Sequence, residues 1–402
     1  MLRSKTVFLS FLLILVLSLS ACGSAGTGSG AGSGSAAGGG DGGVIKVGIN
    51  AELSGNVASY GQSFVQGVEL AVAKINAEGG LLDGKKVELV KVDNKSDAAE
   101  STNAALRLMT QDQVVAIIGA ATSGNTLAMV DLANENQIPV ISPSATSPVV
   151  TVDPDTGETH EYIFRVCFID PVQGRVAARF ALEELGARRA AIFSDSSSDY
   201  AKGLAAAFKE AFVAGGGQIV AEESYVQDDT DFQSQLTRIK AANPDFVFVP
   251  GYYEEVGLIV KQAREDVGLT VPMMGGDGWD SPTLVELAGA ENLNNTFFTN
   301  HYSSQDPDPR IQEFIQSFQA KYNEVPNGFN ALGYDAMMLL ADAIKRAGSA
   351  DPVAIKDALE QTKDVQLVTG TISIDEQHNP VKAAVVIEYK DGKQTFRTKV
   401  SP

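Results

Sequence analysis

The chain has 402 residues, 44% hydrophobic and 20% charged, with 31 Lys+Arg against 50 Asp+Glu and a net charge of −19. That length exceeds one simple core and argues for two lobes or domains. The acidic balance argues against nucleic acid and against a basic membrane-surface patch.

Arg3 and Lys5 precede the short apolar run VFLSFLLILVLSL (7–19). It fits the h-region of a secretory signal and is too short to span a bilayer comfortably. No later uncharged apolar run reaches about 18 residues. Removing residues 1–21 takes away two positive charges and no negative ones, so the mature charge goes from −19 to −21. The junction Leu19-Ser20-Ala21-Cys22-Gly23 resembles the bacterial lipobox, in which the Cys is lipidated and becomes the mature N-terminus. The alternative is a plain secretory signal with an incidental Cys. Residues 23–43 (GSAGTGSGAGSGSAAGGGDGG) carry no apolar side chain larger than Ala. As a flexible coil they would span about 25 Å, a tether holding a folded domain off a membrane. The only cysteines are Cys22 and Cys167. With Cys22 lipidated, no internal disulfide is possible, and Cys167 is expected to be a small buried hydrophobe.

From Val44 short apolar strands alternate with helical patterns. VIKVGIN (44–50) is followed by a helix near Tyr60–Ala77, in which Phe64, Val68, Val72 and Ile75 recur at helical spacing before Gly79 and Gly80. KVELVKV (86–92), VVAIIG (114–119) and IPVIS (138–142) read as further strands. The rhythm resumes with AAIFS (190–194), QIVAEESY (218–225), DFVFVP (245–250) and VPMMG (271–275). This alternation predicts βαβ units and an α/β fold of largely parallel, doubly wound sheets. The polar stretch TVDPDTGETHEY (151–162) interrupts it, which places a lobe boundary near Phe164–Ile169. A second crossing is expected around Phe297–Ser303. The late helices would rejoin the first lobe, and the terminal pair TGTISID and KAAVVIEY would return toward the second.

Catalytic and metal motifs do not emerge. His160, His301 and His378 lie in polar loop or edge contexts and match no HExxH or CxxC spacing, so neither a metal centre nor a cofactor is expected. No G-x-S-x-G elbow follows a strand in the folded region. GGLLDGKK (79–86) formally satisfies GxxxxGK, but Lys86 replaces Ser/Thr and the segment runs from helix to strand, so it is a turn. DPDTGE (153–158) lacks the later ligands of a calcium loop. The first strand leads into INAELSGNVASYG, which is no G-x-G-x-x-G and disfavours a dinucleotide oxidoreductase.

Two strand ends stand out. Thr122-Ser123-Gly124-Asn125-Thr126 follows VVAIIG, and Ser142-Pro143-Ser144-Ala145-Thr146-Ser147 closes IPVIS. Both are rich in hydroxyls and free of charge. A helix N-terminus with Ser or Thr can hold an anion without Arg, although plain N-capping explains either cluster alone. Ligands of open α/β sheets bind beyond the carboxyl ends of strands. Tyr60 follows the first strand, and Tyr200, Tyr252, Tyr253 and Asp277 follow strands of the opposite lobe; a lone aromatic there is usually packing, but tyrosines and an acid at successive strand ends could close over a ligand.

At this point residues 44–402 resemble the type I periplasmic binding proteins of bacterial ABC importers, in their Leu/Ile/Val (branched-chain amino acid) branch. The resemblance rests on IKVGINAELSGNVASYG, VVAIIGAATSGNT, IPVISPSATSP, FRVCFIDPVQG, DFVFVPGYYEEVGLIVKQAREDVG and the Gly-Gly-Asp277 strand end. It implies two α/β lobes joined by three crossings: 44–165 and 298–368 in the first, 166–297 and 369–402 in the second. It further implies an amino acid in the cleft and delivery to ABC permease subunits. Position by position, it assigns Ser123 and Thr146 to the ligand carboxylate, and the Ser144 carbonyl and Asp277 to its ammonium. Tyr200 and Tyr252 would close from the second lobe, Tyr60 and Phe329 would form aromatic walls, and Ala121, Ala145 and Ile169 would line the rest. The expected protein is a non-enzymatic monomer, extracytoplasmic and anchored through lipidated Cys22. Members with a first-lobe disulfide carry Cys where this chain has Thr122. Asp277 is one methylene shorter than Glu, so water could bridge it to the ammonium. Amides, urea and aromatic acids are alternative cargoes, and an amino-acid sensor is an alternative role.

Overall fold

The computed structural model describes residues 43–400. The leader, Cys22 and the tether lie outside the described residues.

Strands β1 (Val44–Ala51), β2 (Lys86–Asp93), β3 (Ala116–Gly119), β4 (Val140–Ser142) and β5 (Ile163–Arg165) form a parallel sheet in the order β2-β1-β3-β4-β5. A second sheet is built from β6 (Arg189–Asp195), β7 (Gln218–Tyr225), β8 (Phe246–Phe248), β9 (Met273–Gly275) and β10 (Thr296–Asn300), all parallel. A small hairpin, β11 (Val365–Leu367) with β12 (Gly370–Ile372), stands apart from both sheets. The antiparallel strands β13 (Ala384–Lys390) and β14 (Lys393–Val400) complete the second sheet, in the order β14-β13-β10-β9-β8-β6-β7. Every residue of β3, β4, β5, β8 and β9 is buried, as expected for parallel strands covered on both faces by helices.

The lobe assignments differ from the sequence reading in two places. The stretch 297–303 was expected to be a crossing, yet Phe297–Asn300 are interior strand residues of β10, and the chain leaves the second sheet only after Asn300. TGTISID was expected to return to the second sheet. Its strand pairs instead with Val365–Leu367, and the return begins with β13. The physical reason is local: a short connection lets β12 fold back on β11 before the chain reaches the sheet edge.

Cys167 is fully buried, and burial pushes its thiol up to about 12. The small-hydrophobe reading fits.

Helices Ala58–Ala77 and Gly328–Ala347 cover the first sheet and pack on each other closely. Asn327 and Asn330 cap the second of these reciprocally, each side chain taking the other's backbone N–H at 3.0 and 2.9 Å. The approach depends on glycine. A Cβ on Gly67 would collide with the Asn330 carbonyl, and one on Gly333 with the Phe64 carbonyl. Gly333→Ala is therefore expected to destabilise the protein by about 1–3 kcal/mol, since backbone must move to admit the methyl. An unchanged denaturation midpoint would refute this packing argument.

Candidate functional site

The carboxyl ends of both sheets face one cleft. From the first lobe it is lined by Tyr60, Ala121, Thr122, Ser123, Ser144 and Phe329. From the second it is lined by Tyr200, Tyr252, Asp277 and Gly278. In this closed arrangement the cavity left between them is only about 10 Å³. A larger open groove of about 440 Å³ on the first lobe, beside Lys74, Arg310 and Phe314, shares no residue with it and lies away from the strand ends of both large sheets.

All the lining groups but Phe329, which the helix Gly328–Ala347 carries, are placed by the strand before them. At the end of β3, Gly119 takes φ +124 against the Asn50 carbonyl and turns the chain into Ala121–Ser123. Thr122, not Ser123, is the N-cap residue of the short helix Ser123–Leu127, and its side chain makes no capping bond. The Ser123 hydroxyl instead accepts from Ser147 N at 3.2 Å, while the Ser144 hydroxyl donates to Ala121 O at 2.7 Å. The two hydroxyl clusters therefore stitch two strand ends together, which plain N-capping does not do. The Ser123 hydroxyl keeps its hydrogen to donate.

One residue absent from the sequence reading changes the chemistry of this loop. Glu52, fully buried at the end of β1, accepts from Ala121 N (3.0 Å), Thr122 N (3.2 Å), the Thr122 hydroxyl (3.1 Å) and the Asn125 amide (2.9 Å). These backbone amides are thus occupied from behind. A ligand anion would therefore meet the Ser123 hydroxyl and the first N–H groups of the helix Ser123–Leu127, not those of Ala121 and Thr122. The signal was present as a lone acid inside INAELSG, but no local pattern says where its side chain points.

Asp277 is buried where β9 ends, at the start of a single 3₁₀ turn, Asp277–Trp279. Its Oδ1 accepts from the Tyr200 hydroxyl at 3.0 Å and from Gln173 Nε2 at 3.2 Å. Its Oδ2 lies 3.0 Å from His301 Nε2. Gln173 is itself fully buried, and its Oε1 accepts from Asp277 N (3.2 Å) and the Thr299 hydroxyl (2.8 Å). His301 was expected at a polar loop or edge. It is buried instead and stacked on Phe168 with ring centroids 3.7 Å apart.

Aromatic rings close the cleft. Tyr60 stacks on Phe329 at 4.3 Å, and Tyr200 on Tyr252 at 5.1 Å. Tyr60 also meets Tyr252 edge-on at 5.7 Å across the lobes. Its hydroxyl donates to Gly278 O and accepts from Tyr253 N, so one first-lobe side chain engages second-lobe backbone twice. The Ser59 and Ser281 hydroxyls meet at 2.8 Å across the same cleft. Burial raises the pKa of Tyr60, Tyr200 and Tyr252 well above the ordinary tyrosine range, so all three stay neutral hydroxyls.

Eight of the eleven residues singled out from sequence line this space: Tyr60, Ala121, Ser123, Ser144, Tyr200, Tyr252, Asp277 and Phe329. Three do not. The Ala145 carbonyl accepts from buried Arg165 at 2.5 Å and from the Cys167 thiol at 3.4 Å. The Thr146 hydroxyl points back toward Gln173 Nε2, at 3.5 Å. Ile169 is half-buried and starts the helix Asp170–Glu183, its carbonyl taking Val172 N and Gln173 N. Consecutive residues after a strand point different ways, so of Ser144, Ala145 and Thr146 only the first lines the cleft.

The description "periplasmic binding protein" belongs to a family model that matches residues 44–394. The chain belongs to this family. Among similar sequences, the Leu/Ile/Val-binding protein BraC3 of Rhizobium johnstonii is 33% identical, covering 83% of this chain and 88% of that protein. The Leu/Ile/Val-binding protein of Escherichia coli is 32% identical, covering 83% and 87%. Among solved structures, the branched-chain amino acid substrate-binding protein LivJ of Streptococcus pneumoniae, in complex with isoleucine, superposes with a TM-score of 0.83. It is 41% identical and covers 89% of this chain and all of that one. The leucine-binding protein LivK of Thermotoga maritima gives 0.83 and 37%, covering 89% and 99%. This periplasmic binding protein thus shares most of its described span with these relatives. Among the described residues no helix is long and apolar enough to cross a membrane.

Asp170 adds a pH signature to the binding protein. Its carboxyl is fully buried and accepts from Gln173 Nε2 at 3.0 Å, and burial pushes its pKa up to about 7. Between about pH 4 and pH 7 the folded protein holds a proton that the unfolded chain has lost, so this group's contribution to stability falls as pH rises through that window. Asp170→Asn removes the titration. Its gain in melting temperature over the wild type is expected to be larger at pH 8 than at pH 5, and equal differences at both would contradict the assignment.

Proposed function

We propose that this binding protein captures a branched-chain or other aliphatic amino acid between its lobes and delivers it to an ABC importer permease. It would act outside the cytoplasm, anchored through lipidated Cys22. The observation that carries the reading is Asp277, a buried carboxylate held by neutral donors and facing hydroxyl-rich strand ends across the cleft. A zwitterion fits both ends: its ammonium pairs with Asp277, and the Ser123 hydroxyl donates to its carboxylate. The Ser144 carbonyl would accept from the ammonium. Tyr60 and Phe329 would flank the side chain, with Ala121 and Tyr252 completing the wall.

Long-range steering is not needed, because a zwitterion is neutral overall and a mature chain of charge −21, two positive charges fewer than the full −19, does not repel it. Selectivity comes from short-range contacts. A ligand that touches both lobes favours the closed arrangement, since only that arrangement makes every contact. Closure removes water and strengthens each charge-assisted hydrogen bond. Micromolar capture corresponds to about −8 kcal/mol.

A second reading keeps the fold and changes the cargo. A solute-binding protein of R. palustris in complex with benzoate superposes with a TM-score of 0.79 at 27% identity. Benzoate has no ammonium, so a buried Asp277 would oppose it rather than pair with it. A thermal-shift panel of aliphatic amino acids, amides, urea and aromatic acids separates the two readings. A true ligand at 100 times its Kd adds about 2.7 kcal/mol of stability, and shifts confined to aromatic acids or urea would overturn the amino-acid reading. Asp277→Ala is expected to cost about 3 kcal/mol of amino-acid binding by calorimetry. Unchanged affinity would remove Asp277 from the ammonium site.

A further inference from the structure

Asp277 has two carboxylate oxygens, which together offer about four acceptor positions. Tyr200 and Gln173 fill both positions on Oδ1, and His301 Nε2 takes one on Oδ2. One acceptor position remains, on Oδ2. The oxygen with a position left for a ligand is therefore the oxygen whose direction His301 sets.

We propose that His301 is a positioning residue for the ligand ammonium: its Nε2–H fixes Asp277 so that a single Oδ2 lone pair faces the ligand. The inference rests on the amino-acid reading of the cleft and deepens it. His301 follows directly on β10, its N–H donates to Asn300 Oδ1 at 2.7 Å, and its ring is fixed by the stack on Phe168. The ring is buried and nearly rigid, so the donor direction is set before ligand arrives.

The protonation state follows from the surroundings. His301 Nδ1 is buried and has no partner among the described residues. A protonated ring would leave an N–H donor there unpaired, whereas the neutral Nε2–H tautomer leaves only an acceptor. Burial pushes the imidazole down to about 4, the bond to Asp277 only partly opposing this, and nearby Lys382 pushes the same way as burial. At neutral pH His301 therefore orients Asp277 without cancelling its charge. A Lys or Arg in its place would neutralise the carboxylate and compete with the ammonium for it.

The test measures the Kd of the wild type and of three variants for leucine and isoleucine by calorimetry, with apo melting temperatures. His301→Leu and His301→Phe remove the donor, and the Phe variant keeps the ring stack. His301→Gln keeps an N–H near the Nε2 position. The expected result is a loss of at least tenfold in affinity for the Leu and Phe variants and a Kd within about threefold of the wild type for the Gln variant. A purely structural role would not sort the variants by their donor. Wild-type affinity in the Leu and Phe variants, or equal loss in all three, would overturn the inference while leaving the amino-acid reading in place. A wild-type protein that binds none of leucine, isoleucine, valine and alanine would overturn both.

Discussion

A buried carboxylate without a cationic side chain governs this cleft. Among the described residues the ion-pair distance around Asp277 involves only His301, whose ring is neutral. Tyr200, Gln173 and His301 supply neutral donors that make the charge tolerable inside the protein while leaving it uncancelled. Such a site is incomplete in charge and complete in geometry. It favours a ligand that brings its own cation, and it holds its direction without waiting for one.

The first lobe uses the same device with the opposite consequence. Glu52 is also a buried carboxylate held only by neutral donors, two of them backbone amides of the Ala121–Thr122 turn. Here the charge is fully enclosed and serves to fix the loop that presents Ser123. One acid is sealed behind the cleft and the other opens into it. The difference lies in where each acid sits, Glu52 behind the turn and Asp277 in the wall of the cleft, not in residue type.

The closed arrangement links the two. Tyr60 stacks on Phe329 within the first lobe and gives its hydroxyl to the Gly278–Tyr253 backbone of the second. Gly278 directly follows Asp277, so the contact that draws the lobes together also bears on the turn that holds the acid. The helix carrying Tyr60 is in turn locked to the helix carrying Phe329 through Gly67 and Gly333. Packing in one lobe thereby reaches the acid in the other through a short run of rigid contacts.

Much of this was legible in the sequence by itself. Apolar runs such as AIIG and FVF name buried parallel strands, because only a sheet covered on both faces can use them. The rule that α/β ligands bind at strand ends marks the hydroxyl cluster around Ser123 and the ends carrying Tyr200, Tyr252 and Asp277, while the individual roles are what the family resemblance implies. What sequence could not supply was direction and long-range pairing. Glu52 reaches Asn125 across 73 positions, and Gln173 reaches Asp277 across 104. Nothing local in INAELSG, DPVQG or FTNHY separates a solvated polar residue from a buried one that orients the site. Thr146 had the right type and position in the chain, yet its hydroxyl faces Gln173 rather than the cleft. The sequence determined which strand ends carry chemistry, because burial and period are local properties. Tertiary structure alone decided which atoms remain free there, because that depends on every donor the rest of the chain brings to them.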